Sequence, residues 1–111
     1  MSDYPFFGHI IDGVEVESVD GKRFDTINPW TREKWGEVAE ASADDAERAI
    51  ASARKAFDEG PWPRMGRTER AKLIHQLADL MEEHTDELAR LDSMDMGKPI
   101  TQARHDVARS V

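Results

Sequence analysis

The side chains of this chain that could do chemistry are its four histidines and twenty-three carboxylates, and it has no cysteine. Only His75 and Asp79 have a spacing that suggests a joint role. Four residues apart on a helix they share a face and could offer two ligands to a metal. A closed site needs more ligands than two, and no third lies at a suitable spacing, so a solvated, helix-supporting pair is the reading. His84, at a break in helical pattern, and His105, near the end of the chain, read as surface residues. The carboxylate pairs Asp44-Asp45 and Glu82-Glu83 invite acid–base chemistry. Adjacent helical residues point about 100° apart, however, so neither pair converges on one atom, and both read as solvated faces. Without cysteine there is no thiolate nucleophile, disulfide or thiolate metal ligand. A glycine-rich phosphate loop, a Gly-x-Ser-x-Gly elbow and a His-Glu-x-x-His run are also missing.

The elements that would carry these residues can be read from periodicity. Ile10-Ile11-Asp12-Gly13-Val14-Glu15-Val16 has Asp-Gly between β-branched residues, a strong two-residue hairpin signal. Asp20-Gly21 turns the chain again. Phe24 to Ile27 reads as a strand closed by Asn28-Pro29, and Trp35 to Ala39 as a further strand. Ser42 should cap a helix whose first turn holds Asp44, Asp45 and Glu47, with Ala46, Ala49, Ile50, Ala53 and Phe57 on one face. Gly60-Pro61-Trp62-Pro63 ends that helix.

From Arg67 the longest helical pattern begins. Gly66 stands at its N-cap without a hydroxyl, and Glu69 supplies half of a capping box. Leu73, Ile74, Leu77, Leu80 and Met81 line one face. The pattern breaks at His84-Thr85 and resumes with Leu88, Leu91 and Met94. Gly97 should then stop it in the left-handed conformation, with Pro99 barring continuation. A last helical pattern starts at Ile100 and runs to the end without a cap, as expected of a piece of a longer protein. The apolar stripes have no evident partner within the chain.

Composition narrows the class. At 111 residues, 39% hydrophobic and 34% charged, the chain suits one small domain with a thin core. Its net charge of −8 argues against nucleic acid, because phosphate binding needs clustered Lys and Arg. No segment approaches the roughly 18 apolar residues of a membrane span, and the start carries no basic n-region, so a cytoplasmic protein is expected. Met1 to Gly8, with Tyr4, Phe6 and Phe7 in no period, is expected to be a flexible tail whose aromatics dock on another surface.

The order of these segments resembles the N-terminal segment of the NAD(P)-dependent aldehyde dehydrogenase superfamily. The residues that carry it are Ile10 to Val14, Gly21-Lys22, Phe24 to Pro29, Thr31, Glu37 to Ala39, Ala43 to Ala46, Ala49, Ala53 to Phe57, Trp62 and Arg70. They continue with Leu77 to Leu80, Glu87 to Ala89 and Asp95 to Pro99. The resemblance implies an α/β fold, a hairpin and short strands followed by three to four helices. On this reading residues 1–111 are an incomplete N-terminal part of the cofactor-binding domain, lacking the later nucleotide-binding sheet and the catalytic domain.

The parent enzyme implied is an oxidoreductase that takes an aldehyde to a carboxylate with NAD or NADP through a cysteine thioester. The chain alone is expected to be inactive, its partner the remainder of the polypeptide, and the complete enzyme a homo-oligomer. The alternative is a free-standing module that docks on a full-length dehydrogenase. One site carries over by resemblance, a monovalent cation held by the carbonyls of Thr26 and Ile27 and by Asp106, with a further ligand from later sequence. Trp30 and Trp35 stand where the family more often has small or aliphatic residues, and are expected to pack on a partner surface or a variant terminus.

Overall fold

The computed structural model describes residues 3–111. Five strands come first, β1 (Phe6–Phe7), β2 (His9–Ile11), β3 (Val14–Val16), β4 (Arg23–Ile27) and β5 (Lys34–Ala39). Four α-helices follow, α1 (Ala43–Glu59), α2 (Arg67–Glu83), α3 (Thr85–Met96) and α4 (Ile100–Ser110), with a 3-10 turn at Trp62–Arg64 between the first two. The chain divides into two compact units. One holds the described residues up to Ile27 together with Lys34–Arg64, the other Asn28–Glu33 with Met65–Val111.

In the first unit β2 and β3 pair antiparallel across Asp12-Gly13, with Ile11 opposite Val14. Both turn residues have positive φ, 56° and 75°. That is the geometry of the two-residue turns whose twist matches the strands, and aspartate and glycine tolerate it. The other sheet runs β1-β5-β4, with β5 central. Its β4–β5 ladder opposes Thr26 to Gly36 but Ile27 to Lys34. Trp35 is therefore the extra residue of a bulge, which bends the strand and re-aims the indole.

Phe6 and Phe7 pair parallel with Glu37 and Val38, so this part of the expected tail is a strand. The physical reason is that β5 offers a free edge and Trp35 offers Phe7 a ring, the two centroids lying 5.6 Å apart edge to face. Met1 and Ser2 lie outside the described residues.

Helix α1 starts as its sequence directs, with Ser42 as N-cap and Asp45 completing a reciprocal capping box. Gly60 ends it, its N–H donating to the Ala56 carbonyl.

In the second unit Glu69 accepts from the Gly66 N–H at 3.0 Å, the carboxylate half of a capping box. Helix α2 stops at Glu83, where the Thr85 hydroxyl donates to the Glu82 carbonyl at 2.7 Å and takes an acceptor that the helix would otherwise use. Helix α3 stops at Gly97, whose φ of 74° is left-handed. Helices α3 and α4 pack on each other. Ala89 and Ala103, fully buried, supply the small side chains that permit close approach.

Met81 and the second stripe, Leu88, Leu91 and Met94, are half-buried, but most large apolar residues of the α1 and α2 stripes remain exposed. Ile50 and Phe57 on α1, and Leu73, Ile74, Leu77 and Leu80 on α2, all face outward. No helix among the described residues is long and apolar enough to cross a membrane.

Candidate functional site

Two clusters, one in each unit, hold two of the carboxylates that the sequence singled out. The first centres on Asp45, which the sequence suggested was a solvated partner of Asp44. It is buried, 2% exposed, while Asp44 is solvent-facing. The reason is its company. Asp45 Oδ2 accepts from the Ser18 hydroxyl at 2.7 Å, the Ser42 N–H at 2.9 Å and the Ser42 hydroxyl at 2.9 Å. Oδ1 accepts from the Val19 N–H at 3.1 Å.

This carboxylate caps α1 and pins the turn after β3 to it, which no periodicity argument could show, because Ser18 is 27 residues away. Hydrogen bonds from the Ser42 backbone and the Ser18 hydroxyl favour the charged form and hold its carboxyl well below the usual carboxylate range, against the opposing effect of burial. A carboxylate so saturated neither accepts nor donates a proton near neutral pH. Its role is architectural.

The second cluster surrounds Lys98 at the turn between α3 and α4. Lys98 Nζ lies 2.8 Å from Asp92 Oδ2 and 2.9 Å from Asp106 Oδ2. Gln102 Nε2 donates to the other Asp106 oxygen at 2.9 Å. The Ser93 hydroxyl donates to the Lys98 carbonyl at 2.7 Å, so the backbone is held as well as the side chain.

Two carboxylates, Asp92 first and Asp106 second, raise the ammonium's pKa, and the ammonium lowers that of Asp106. The two carboxylates thus favour the charged form of Lys98. A cleft of about 340 Å³ opens beside it, lined by Asn28, Trp30, Ser93, Met94 and residues 97–100. Trp30 stands 88% exposed.

The cation ligands expected from the resemblance fall on different elements. Thr26 and Ile27 are the last residues of β4, in the first unit, and Asp106 lies on α4, in the second. Both carboxylate oxygens of Asp106 already accept hydrogen bonds, one of them from a cation.

Among the described residues no group of three or more His, Cys, Asp or Glu side chains is placed to hold a metal ion. His75 and Asp79 are both exposed on α2. His84 Nδ1 lies 3.1 Å from Glu87 Oε2 at the α2–α3 junction, and His105 is exposed on α4. Sequence reasoning missed Lys98 as the partner of Asp106. A clue was present, since a lysine just after a helix-ending glycine has free reach toward the next helix.

Comparison with known proteins gives these clusters a setting. The backbone matches an NAD-dependent aldehyde dehydrogenase from Sinorhizobium meliloti with a TM-score of 0.90 and 43% identity, over 94% of this chain and 21% of that one. It matches a Bacillus cereus aldehyde dehydrogenase, solved with NAD+, with a TM-score of 0.88 and 44% identity, over 92% of this chain and 21% of that one. The architecture is therefore that of the N-terminal part of these enzymes.

Among curated relatives, the mitochondrial benzaldehyde dehydrogenase of Antirrhinum majus is 50% identical over 84% of this chain and 17% of its own length. Aldehyde dehydrogenase family 2 member B4, mitochondrial, of Arabidopsis thaliana is 48% identical over 85% of this chain and 18% of its own length. Residues 16–111 match the aldehyde dehydrogenase family as a whole, and the chain belongs to that family. It spans about a fifth of the length of its relatives.

Proposed function

We propose that this chain is the N-terminal part of the cofactor-binding domain of an aldehyde dehydrogenase that oxidises an aldehyde to a carboxylate with NAD. The observation that carries this reading is the backbone match over 94% of the chain at 43% identity. The 111 residues contribute framework, the Asp45 cap and the Lys98 clamp. They contribute no thiolate, since the chain has no cysteine.

On this proposal the thiolate that attacks the carbonyl and the glutamate that activates water for thioester hydrolysis belong to the remaining four fifths of the polypeptide. The nicotinamide, when bound, accepts the hydride. The outward apolar faces of α1 and α2 suit such a reading, because a chain that lacks its packing partner leaves its stripes bare.

The test is a chimaera. Residues 9–111 replace the corresponding segment of the Sinorhizobium meliloti enzyme, and NAD reduction is followed with a panel of aldehydes. Turnover in the chimaera, with none in the isolated 111 residues, is expected; a folded chimaera that oxidises no aldehyde refutes the reading. The same protein reads the cation. An ion held by Thr26, Ile27 and Asp106 would stabilise the folded chimaera, so a melting temperature that rises with potassium or sodium supports it. An unchanged one leaves Lys98 as the partner.

A further inference from the structure

We propose that residues 4–7 form a releasable strap on the β4–β5 sheet, and that the catch holding it is the side chain of Glu37. The inference is independent of the enzymatic reading and rests on the way one residue engages the strap twice. Through its backbone, the Glu37 N–H donates to the Pro5 carbonyl at 2.9 Å. Through its side chain, Glu37 positions two cations. Oε2 accepts from Arg23 at 3.2 Å and Oε1 from Lys34 at 2.7 Å.

Each cation lies over an aromatic ring of the strap. The Arg23 guanidinium is 3.9 Å from the centroid of Phe6, and the Lys34 ammonium is 4.9 Å from that of Tyr4. Glu17 and Asp25 hold the outer sides of the same two cations. These are cation–π contacts, and they depend on the carboxylates keeping long, flexible side chains in place.

Other features make the strap separable from the sheet it covers. Strand β1 is two residues long, pairs with β5 alone, and joins β2 through Gly8. The β4–β5 ladder is more than twice as long and does not need it. The strap runs beside β5 as an edge strand, with the Phe7 ring set against Gly36. A Cβ at Gly36 would stand 2.9 Å from the Phe7 ring. Phe7 and the half-buried Trp35 close the contact edge to face. Opening the strap therefore uncovers Gly36 and Trp35 without disturbing the ladder.

Amide hydrogen exchange of the 111-residue chain tests this directly. The amide at position 37 reports on the strap, and the β4–β5 ladder amides are the internal reference. Glu37→Gln keeps the side chain's shape and removes its charge. It is expected to speed exchange at position 37 about tenfold relative to the ladder, the size of losing two exposed cation–π contacts. Raising the salt to about 1 M, where the screening length falls to about 3 Å, should do the same to the parent chain and less to the variant, which keeps only the Glu17 and Asp25 pairs.

Phe6→Leu, which keeps apolar bulk but loses the π face, is a second route that leaves the charges alone; it should speed position 37 severalfold. A strap held by Phe7 packing alone predicts no effect of charge, salt or Phe6, and that result overturns the proposal. So does exchange in which position 37 and the ladder always move together.

Discussion

Substituting Gly97 isolates two physical costs that the structure places at one residue. Its φ of 74° lies where an L side chain is strained, and an added Cβ would stand 2.9 Å from Cγ of Pro29. Gly21 supplies a control, with φ 65° and nothing within 4 Å of its added Cβ. Gly21→Ala should therefore cost the conformational term alone, about 1 kcal/mol. Gly97→Ala carries the same term plus the displacement of a proline ring, about 1 kcal/mol more, for a total of about 2 kcal/mol.

Urea denaturation followed by circular dichroism gives both values by linear extrapolation. A double-mutant cycle with Pro29→Ala separates the contact from the strain, because only the contact couples the two sites. A coupling of about 1 kcal/mol is expected. The reasoning fails if Gly97→Ala costs no more than Gly21→Ala, or if the cycle closes with no coupling. Gly97→Asn adds a discriminating case, since asparagine tolerates the left-handed region yet brings the same Cβ; it should recover the strain and keep the clash.

Two further perturbations read the buried positions. Asp45 titrates lower in the folded chain than its unfolded value near 4, so its stabilisation is complete above about pH 4 and fades as the pH falls through the folded value. Asp45→Asn should therefore flatten the acid limb of a melting-temperature profile between pH 5 and 2, and parallel profiles for both proteins would contradict the assignment. Ala89, fully buried on α3, leaves no room for a larger side chain. Ala89→Leu should cost about 1–3 kcal/mol through overpacking in the same urea experiment, whereas Ala51→Leu, on an exposed face of α1, should cost almost nothing.

Local signals carried the elements well. Asp12-Gly13 gave the hairpin turn, Ser42 the start of α1, and Gly97 the left-handed stop of α3, each because the relevant physics lies within a few residues. The exposed stripes on α1 and α2 were legible for the same reason. What escaped was contact across distance. Asp45 looked solvated because its neighbour Asp44 is, and nothing near it announces Ser18 as a partner. The same limit hid Lys98 behind Asp106. Phe6 and Phe7 looked like a tail because two residues are too few for a period, and their strand exists only through the edge of β5. Of the two tryptophans singled out by the resemblance, Trp35 packs on the N-terminal Phe7, while Trp30 stands bare.

The six residues between β4 and β5 have a consequence for synthesis. Asn28–Glu33 emerge from the ribosome with the strands that flank them but belong to the compact unit whose other residues begin at Met65. Until those appear, the segment has only its own bonds to keep it in shape: Asn28 Oδ1 accepting from the Trp30 N–H at 2.9 Å, and the Arg32 N–H donating to the Asn28 carbonyl at 2.8 Å. The first unit can close its ladder once Ala39 has emerged. The second must wait for Gly97, nearly sixty residues later, before Pro29 meets the glycine against which it finally rests.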